Sequence, residues 1–336
     1  MKEIIQKLIL GETLTREDAY QALKVIMNGE ATSAQIASFL TALRLRGETP
    51  EVVAGAAQAM REAFTPVTSI HPDAVDTCGT GGDGLNTFNI STTAAFVTAG
   101  AGVPVAKHGN RNVSSLSGSA DVLTALGVNI SITPDQMGEC LREIGLAFLF
   151  APSLHPAMKH AIGPRREIGI RTLFNILGPI SNPASTRRGV LGVYNKDMVV
   201  IIAEALSNLG TKHLLVVHGD DGLDEITNTA ATTIGEVRNG KVELYHVHPQ
   251  DFDLPLRSID ELKGGEPEEN ADITRSILEG ESGAKRDIVL LNAGAAIYAG
   301  GKAGSLAEGL LKAKESIDSG VAKAKLDALV AFTQKA

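Results

Sequence analysis

Four glycines fall within six residues in Gly79-Thr80-Gly81-Gly82-Asp83-Gly84, directly after Val75-Asp76-Thr77-Cys78. Glycine adopts positive φ easily and lets a ligand approach main-chain amides. Successive amides in such a turn form an anion nest. One glycine suits a tight turn, whereas four together suit a bulky group pressed against the backbone. Gly79, Gly81 and Gly84 fit GxGxxG spacing, a weak signal alone. A dinucleotide site also needs an acid about 20 residues on for the ribose hydroxyls. No Asp or Glu lies between Asp83 and Asp121; Lys107, His108 and Arg111 stand there instead. No GxxxxGK[ST] is present, so a Walker A loop is excluded. The segment reads as a site for a multiply charged anion, neither an NAD site nor a P-loop.

Three further groups bear on the same chemistry. Asn89-Ile90-Ser91-Thr92 stands where a helix should begin, offering hydroxyls and free amides to phosphate or metal; taken alone, plain helix capping is the favoured reading of Ser91 and Thr92. Lys107-His108-Gly109-Asn110-Arg111-Asn112-Val113-Ser114-Ser115 follows an apolar run and is rich in donors. His218-Gly219-Asp220-Asp221-Gly222-Leu223-Asp224-Glu225 follows another and holds four acids in six positions. Such a run is often a solvated loop, but adjacent carboxylates facing phosphate are a usual way to hold Mg²⁺. Asp220 and Asp221 suit a solvated turn better than Asp224 and Glu225 do. Between Leu154 and Lys196 the only acid is Glu167, against Lys159, Arg165, Arg166, Arg171, Arg187 and Arg188. Gly163-Pro164-Arg165-Arg166 reads as a turn carrying two guanidinium groups, suited to a planar carboxylate. Ion pairing with the acidic stretch 250–285 is the other reading, expected for at least one of the two. His155 and His160 read as structural or surface residues.

These groups need rigid supports. Apolar runs at 74–75, 103–106, 128–130, 147–150, 189–193 and 214–217 alternate with helical stretches at 91–100, 119–126, 134–144 and 197–209. That rhythm predicts buried parallel strands with helices between them and ligands at the strands' carboxyl ends. Residues 1–66 read as helices only. Thr15 with Asp18 and Thr32 with Gln35 are capping-box spacings, and Thr49-Pro50 is a cap with proline at the first helical position. The expected fold is α/β: a small all-helical domain, 1–66, hinged to a larger domain, 67–336, with a mostly parallel sheet flanked by helices. The stretch at about 168–187 reads as a crossover back to the helices, and 250–285 as an acidic loop.

The 336 residues carry a formal net charge of −8, two cysteines and no CxxC. Charge of that sign argues against general nucleic-acid binding, and the cysteines support neither a disulfide framework nor a zinc site. The first residues, MKEIIQKLIL, lack the pattern of a signal peptide, and no apolar run reaches 18 residues. A cytoplasmic protein without membrane partners is expected.

The combination of Gly79-Thr80-Gly81-Gly82-Asp83, Asn89-Ile90-Ser91-Thr92, Lys107-His108-Gly109-Asn110-Arg111, Arg165 and Asp224-Glu225 resembles the anthranilate phosphoribosyltransferase family. Gly178-Pro179, Asn182-Pro183 and Leu291-Asn292-Ala293-Gly294 extend the likeness over nearly the whole chain. The resemblance implies the nucleoside phosphorylase-like phosphoribosyltransferase fold and a homodimer formed through the helical domain. The implied reaction moves 5-phosphoribosyl from phosphoribosyl pyrophosphate to the amine of anthranilate, releasing pyrophosphate, in tryptophan biosynthesis. It implies Mg²⁺, two per subunit, held by Ser91 and by Asp224 with Glu225. Anthranilate would meet Gly79, Asn110 and Arg165, with the choice between Arg165 and Arg166 open. The donor would meet Gly79, Gly82, Asp83, Thr87, Asn89, Ile90, Ser91, Thr92, Lys107, His108, Gly109, Asn110, Arg111, Asn112, Val113, Ser114, Ser115 and Ser119. Lys107 would stabilise charge electrostatically; a strong general base is unnecessary, because an arylamine is neutral at pH 7. The rivals are a pyrimidine nucleoside phosphorylase of the same fold and a non-catalytic nucleic-acid-binding relative.

Overall fold

The computed structural model describes residues 1–68, 70–111 and 116–336. Four helices open the chain: α1 (Lys2–Leu10), α2 (Arg16–Met27), α3 (Ser33–Arg46) and α4 (Pro50–Glu62). Thr15 and Thr32 each close a capping box, with Asp18 and Gln35 respectively, and Thr49 caps α4 with Pro50 at its first position. These reciprocal bonds satisfy amide donors that no helix can pair internally.

The α/β part follows as β1 (Val75–Gly79), α5 (Ile90–Gly100), β2 (Val105–Gly109), α6 (Ser119–Ala125), α7 (Pro134–Ile144) and β3 (Leu146–Phe150). The chain then makes α8 (Ala151–Leu154), α9 (Lys159–Ile168) and α10 (Phe174–Leu177). It returns through β4 (Arg188–Gly192), α11 (Asp197–Asn208), β5 (His213–Gly219), β6 (Thr232–Arg238) and β7 (Lys241–Val247), and ends in α12 (Pro267–Leu278), α13 (Ala284–Ala299), α14 (Leu306–Asp318) and α15 (Val321–Thr333).

The seven strands lie in the order β3-β2-β1-β4-β5-β6-β7. β1 to β5 are parallel; β6 pairs antiparallel with β5, and β7 antiparallel with β6. One face packs on α5, whose residues from Ile90 to Ala99 are nearly all buried, and on α13. The other face packs on α11, and its apolar cluster continues into α1–α4. Ala161 of α9 and Phe174, Ile176 and Leu177 of α10 join that cluster, so the helical layer is built from two separate parts of the chain. Arg61 at the end of α4 donates to the Ile180 carbonyl at 2.7 and 3.0 Å, fastening the two parts.

Several expectations need correction. Residues 128–130 form no strand; their apolar side chains fill the core beneath the turn after α6. The β6–β7 hairpin is an addition to the expected strands, although its turn is Asn239-Gly240, both at positive φ, the usual chemistry of a two-residue hairpin. The stretch 250–285 holds α12, with Pro267 in its first turn and Glu268 and Glu269 beside it. Gly163–Arg166 is no turn: it lies inside α9, with Pro164 buried within the helix.

Candidate active site

Because β1, β2, β4 and β5 are parallel, the loops at their carboxyl ends share one edge of the sheet. The order reverses between β1 and β4, a switch point that opens a crevice. The glycine loop leaves β1 there. Thr80 N–H donates to the Gly192 carbonyl at 2.9 Å, and Tyr194 N–H donates to Thr80 Oγ1 at 3.1 Å. Gly81, Gly82 and Gly84 all have φ between 66° and 79°, the region where side chains are strained. At Gly79 the reason for glycine is different. Its φ is ordinary, but a Cβ would run into the Asp224 carboxylate.

That carboxylate is the centre of the site. Asp224 is buried, and its Oδ2 accepts the Gly81 N–H at 2.7 Å. Burial, then the neighbouring Asp83 carboxylate, pushes its pKa up to about 6. Glu225, half-buried beside it, is raised well above the ordinary value by burial and by Asp224, although it accepts the Ser91 N–H. Asn292 of α13 sets this loop: its Oδ1 accepts the Ile226 N–H and its Nδ2 donates to the Ile226 carbonyl, both at 2.9 Å. Asp221 accepts from Thr227 Oγ1 at 2.5 Å, from Thr229 Oγ1 and from the Leu223 N–H at 3.1 Å. It therefore organises the turn and is not simply solvated. Asp220 is exposed and pairs with Lys196 at 2.8 Å.

Opposite the acids lies Lys107, 3% exposed in the middle of β2. Its Nζ donates to the Thr77 carbonyl and to Ser91 Oγ at 3.3 Å. Burial lowers its pKa; the Asp76 and Glu225 charges oppose that shift. Asp76 is itself buried, with Oδ1 accepting the His108 N–H at 3.1 Å and Oδ2 accepting Asn182 Nδ2 at 2.7 Å. Asn182 Nδ2 also donates to the Ala106 carbonyl at 2.8 Å. Asp76 and Asn182 thus tie β1, β2 and the crossover together around Lys107. Sequence reasoning misses both as site residues; the signal was an acid directly ahead of a glycine loop.

The other expected donor residues divide. Ser91 and Thr92 lie inside the first turn of α5, Thr92 buried, and the cap position is Asn89. Plain capping therefore fails for both. Asn89 is engaged on two sides, donating to the Ser117 carbonyl at 3.1 Å and accepting from Asn270 Nδ2 at 3.0 Å. Ile90 is buried in the core, Thr87 bridges to Lys263, and Asp83 accepts the Leu85 N–H at 3.1 Å. The group Lys107, His108 and Arg111 does not supply three cations. His108 is buried, donates to the Gly178 carbonyl and meets His155 Nε2 at 3.2 Å; burial holds its pKa down at about 3, so it is neutral. Arg111 pairs with Asp121 at 2.9 Å. Asn110 is exposed, its Oδ1 turned to the Arg111 N–H at 2.7 Å and its carbonyl accepting from Ser119 Oγ at 3.1 Å. A Cβ at Gly109 would meet Ser119 and Phe148. Asn112, Val113, Ser114 and Ser115 lie outside the described residues.

On α9, Arg165 is half-buried with its guanidinium carbon 5.2 Å from the centre of the Phe174 ring, and burial lowers its pKa. Arg166 is exposed. Among the described residues neither pairs with an acid, so the expected bridge to 250–285 is absent.

Among the described residues no three carboxylate, imidazole or thiol groups come together as a metal-ligand set. Mg²⁺ does not need one, since it keeps several waters and takes phosphate oxygens. Adjacent carboxylates, one buried and one half-buried, with raised pKa values beside the Ser91 hydroxyl suit that cation.

Two family descriptions match the chain: a glycosyl transferase family helical bundle domain over residues 2–64, and a glycosyl transferase family a/b domain over 71–323. The fold and the crevice are those of this two-domain glycosyl transferase class. An anthranilate phosphoribosyltransferase of Pelotomaculum thermopropionicum is 54% identical, covering 99% of this chain and 96% of that protein. One from Acetivibrio thermocellus is 52% identical over the same shares. The solved enzyme of Thermus thermophilus superposes with a TM-score of 0.94 at 46% identity, covering 98% and 99% of the two chains. That of Saccharomyces cerevisiae, in complex with PRPP and Mg, gives 0.90 at 30%, covering 99% and 98%. The chain belongs to the anthranilate phosphoribosyltransferase family.

Proposed function

We propose that the chain transfers 5-phosphoribosyl from phosphoribosyl pyrophosphate to the amine of anthranilate and releases pyrophosphate, the tryptophan-pathway step of its family. The observation that carries this reading is the meeting of the glycine loop, Asp224, Glu225, Ser91 and Lys107 at the switch point of the sheet. A pyrimidine nucleoside phosphorylase would not need such a carboxylate pair, because it handles free phosphate and not pyrophosphate. The chain's acidic balance gives no support to the nucleic-acid-binding alternative.

In this reading Asp224, Glu225 and Ser91 hold Mg²⁺, two ions per subunit. Bound magnesium would offset the charge of the leaving pyrophosphate. Lys107 and the loop amides add fixed positive charge and dipoles where negative charge grows on the leaving oxygen, which lowers the barrier without reorganisation. Arg165 grips the anthranilate carboxylate. It is favoured over Arg166 because it is half-buried without a carboxylate partner, and a desolvated guanidinium binds such a group more strongly than an exposed one. The substrate amine attacks as the neutral arylamine, and His108, held neutral, lines the site without acting as a cation.

Residues 1–66 with the crossover at about 168–187 form the helical domain and 67–336 the donor-binding domain. Ile9 and Leu10 on α1 and Leu45 on α3 leave apolar surface exposed on the helical layer, and we assign that face to a homodimer. No helix among the described residues is long and apolar enough to cross a membrane; a cytoplasmic location belongs to the same proposal. The test is direct: anthranilate fluorescence should fall on addition of phosphoribosyl pyrophosphate with Mg²⁺, and stay constant without the metal. Equal loss of fluorescence without Mg²⁺ would remove the metal from the proposal.

A further inference from the structure

The structure assigns Arg171 as a ligand for the pyrophosphate end of the donor, an inference that rests on the phosphoribosyl-transfer reading above. Arg171 follows α9, which ends at the left-handed Gly169. Its Nη2 donates to the Gly82 carbonyl, and its guanidinium carbon stands 4.2 Å from the centre of the Tyr194 ring. A Cβ at Gly82 would strike the guanidinium. The glycine loop therefore runs between two walls. On one side Asp224 presses on Gly79 and accepts the Gly81 N–H; on the other Arg171 presses on Gly82.

Three observations give this guanidinium more than a structural role. It is half-buried, and among the described residues no carboxylate pairs with it. Other arginines of this domain do have acids: Arg188 with Asp73, Arg257 with Asp287 and Arg286 with Asp318. Its hydrogen bond goes to a neutral carbonyl, a weaker partner than an anion. And the ring of Tyr194 is fixed to the loop, since Tyr194 N–H donates to Thr80 Oγ1, so stacking holds the guanidinium plane next to the anion nest. A metal-bound pyrophosphate has two chemistries: its cation seeks carboxylates, and its oxygens seek a fork of N–H donors. The two walls offer one each. On binding, pyrophosphate oxygens replace the Gly82 carbonyl as the partner of Arg171. Arg165 lies six residues earlier on the same stretch, so the acceptor-side arginine and the pyrophosphate ligand share one segment of chain.

The test is calorimetry at fixed Mg²⁺ with phosphoribosyl pyrophosphate, inorganic pyrophosphate and ribose 5-phosphate as probes. Arg171→Gln should raise the Kd of the first two by about tenfold or more, as loss of a charge-assisted bond predicts, and leave ribose 5-phosphate unchanged. Arg171→Lys should recover part of the loss, because it keeps the charge without the fork. Should Arg171→Gln fail to fold, the Lys variant carries the test, with a smaller weakening confined to the same two probes. Unchanged pyrophosphate affinity overturns the assignment. So does equal weakening of all three probes, the result of a purely structural latch. Wild-type protein that binds no phosphoribosyl pyrophosphate would sink the reading of the reaction instead.

Discussion

The Asp224 wall and the α9 segment solve opposite problems. At the sheet edge, the carboxylates of buried Asp224 and half-buried Glu225 crowd together and are fixed by main-chain bonds, Asp224 to Gly81 and the following loop to Asn292. On α9, Arg165 has an aromatic neighbour and, among the described residues, no acid. One region stores repulsion that the proposed cation would relieve, and the other lacks a counter-ion that the proposed substrate would supply. The proposed donor half is therefore stiff and electrostatically strained, while the proposed acceptor half is a single charge on a helix outside the sheet.

The strongest way to break this contrast is to discharge the stiff half. Asp224→Asn with Glu225→Gln keeps shape and removes both charges. Activity should fall by about 100-fold or more, the scale of losing a preorganised electrostatic element, with the Mg²⁺ dependence displaced. A wild-type Mg²⁺ curve in this variant would reduce the acids to a charged loop. Arg165→Ala comes next. It should raise the anthranilate KM by roughly 30- to 160-fold, from about 2–3 kcal/mol for a hydrogen bond to a charged group. Donor affinity should hold; calorimetry showing both substrates weakened equally would erase the distinction between the halves.

Stability against pH sharpens it further. Asp224 has a folded pKa of about 6, above the unfolded value of 3.8. The folded state therefore holds the proton more tightly, and stability is lost as pH rises through 6. Asp224→Asn should melt about a few degrees higher than wild type at pH 7.5 without Mg²⁺, and the gap should narrow as pH falls through 6 and close only below the unfolded value of 3.8. A gap independent of pH would place the strain elsewhere. The smallest effects belong to the neighbouring acids. Asp221→Asn should cost about 1–2 kcal/mol of stability by weakening its hydroxyl partners. Asp220→Asn should stay within about 1 kcal/mol of wild type, as an exposed pair allows. Urea unfolding separates them, and identical midpoints would contradict the difference in their bonding.

The contrast also explains what could be read from sequence. The glycine loop, Lys107 and the acid pair were legible because parallel strands read as short apolar runs and ligands gather at their carboxyl ends. Arg165 stands out in the sequence, but its setting does not: Gly163-Pro164 carries turn chemistry, yet a long-range layer of helices buries Pro164 inside α9. Proline misleads in the opposite sense at Pro267, where it starts α12. Asn292 and Asn182 act through main-chain groups far away in sequence, which spacing does not reveal. His108 looks cationic in sequence because its charge depends on burial, a tertiary property.

The helical layer draws its later members from residues 159–177, while β1, β2 and β3 are made in between. A ribosome therefore releases α1–α4 well before the pieces that cover them. At roughly 5–20 residues per second, the growing chain carries an unfinished apolar face for several seconds, exposed to chaperones and to neighbouring copies. The order of synthesis and the order of assembly are interleaved, so the first 66 residues expressed alone should be a poor folder and prone to aggregate.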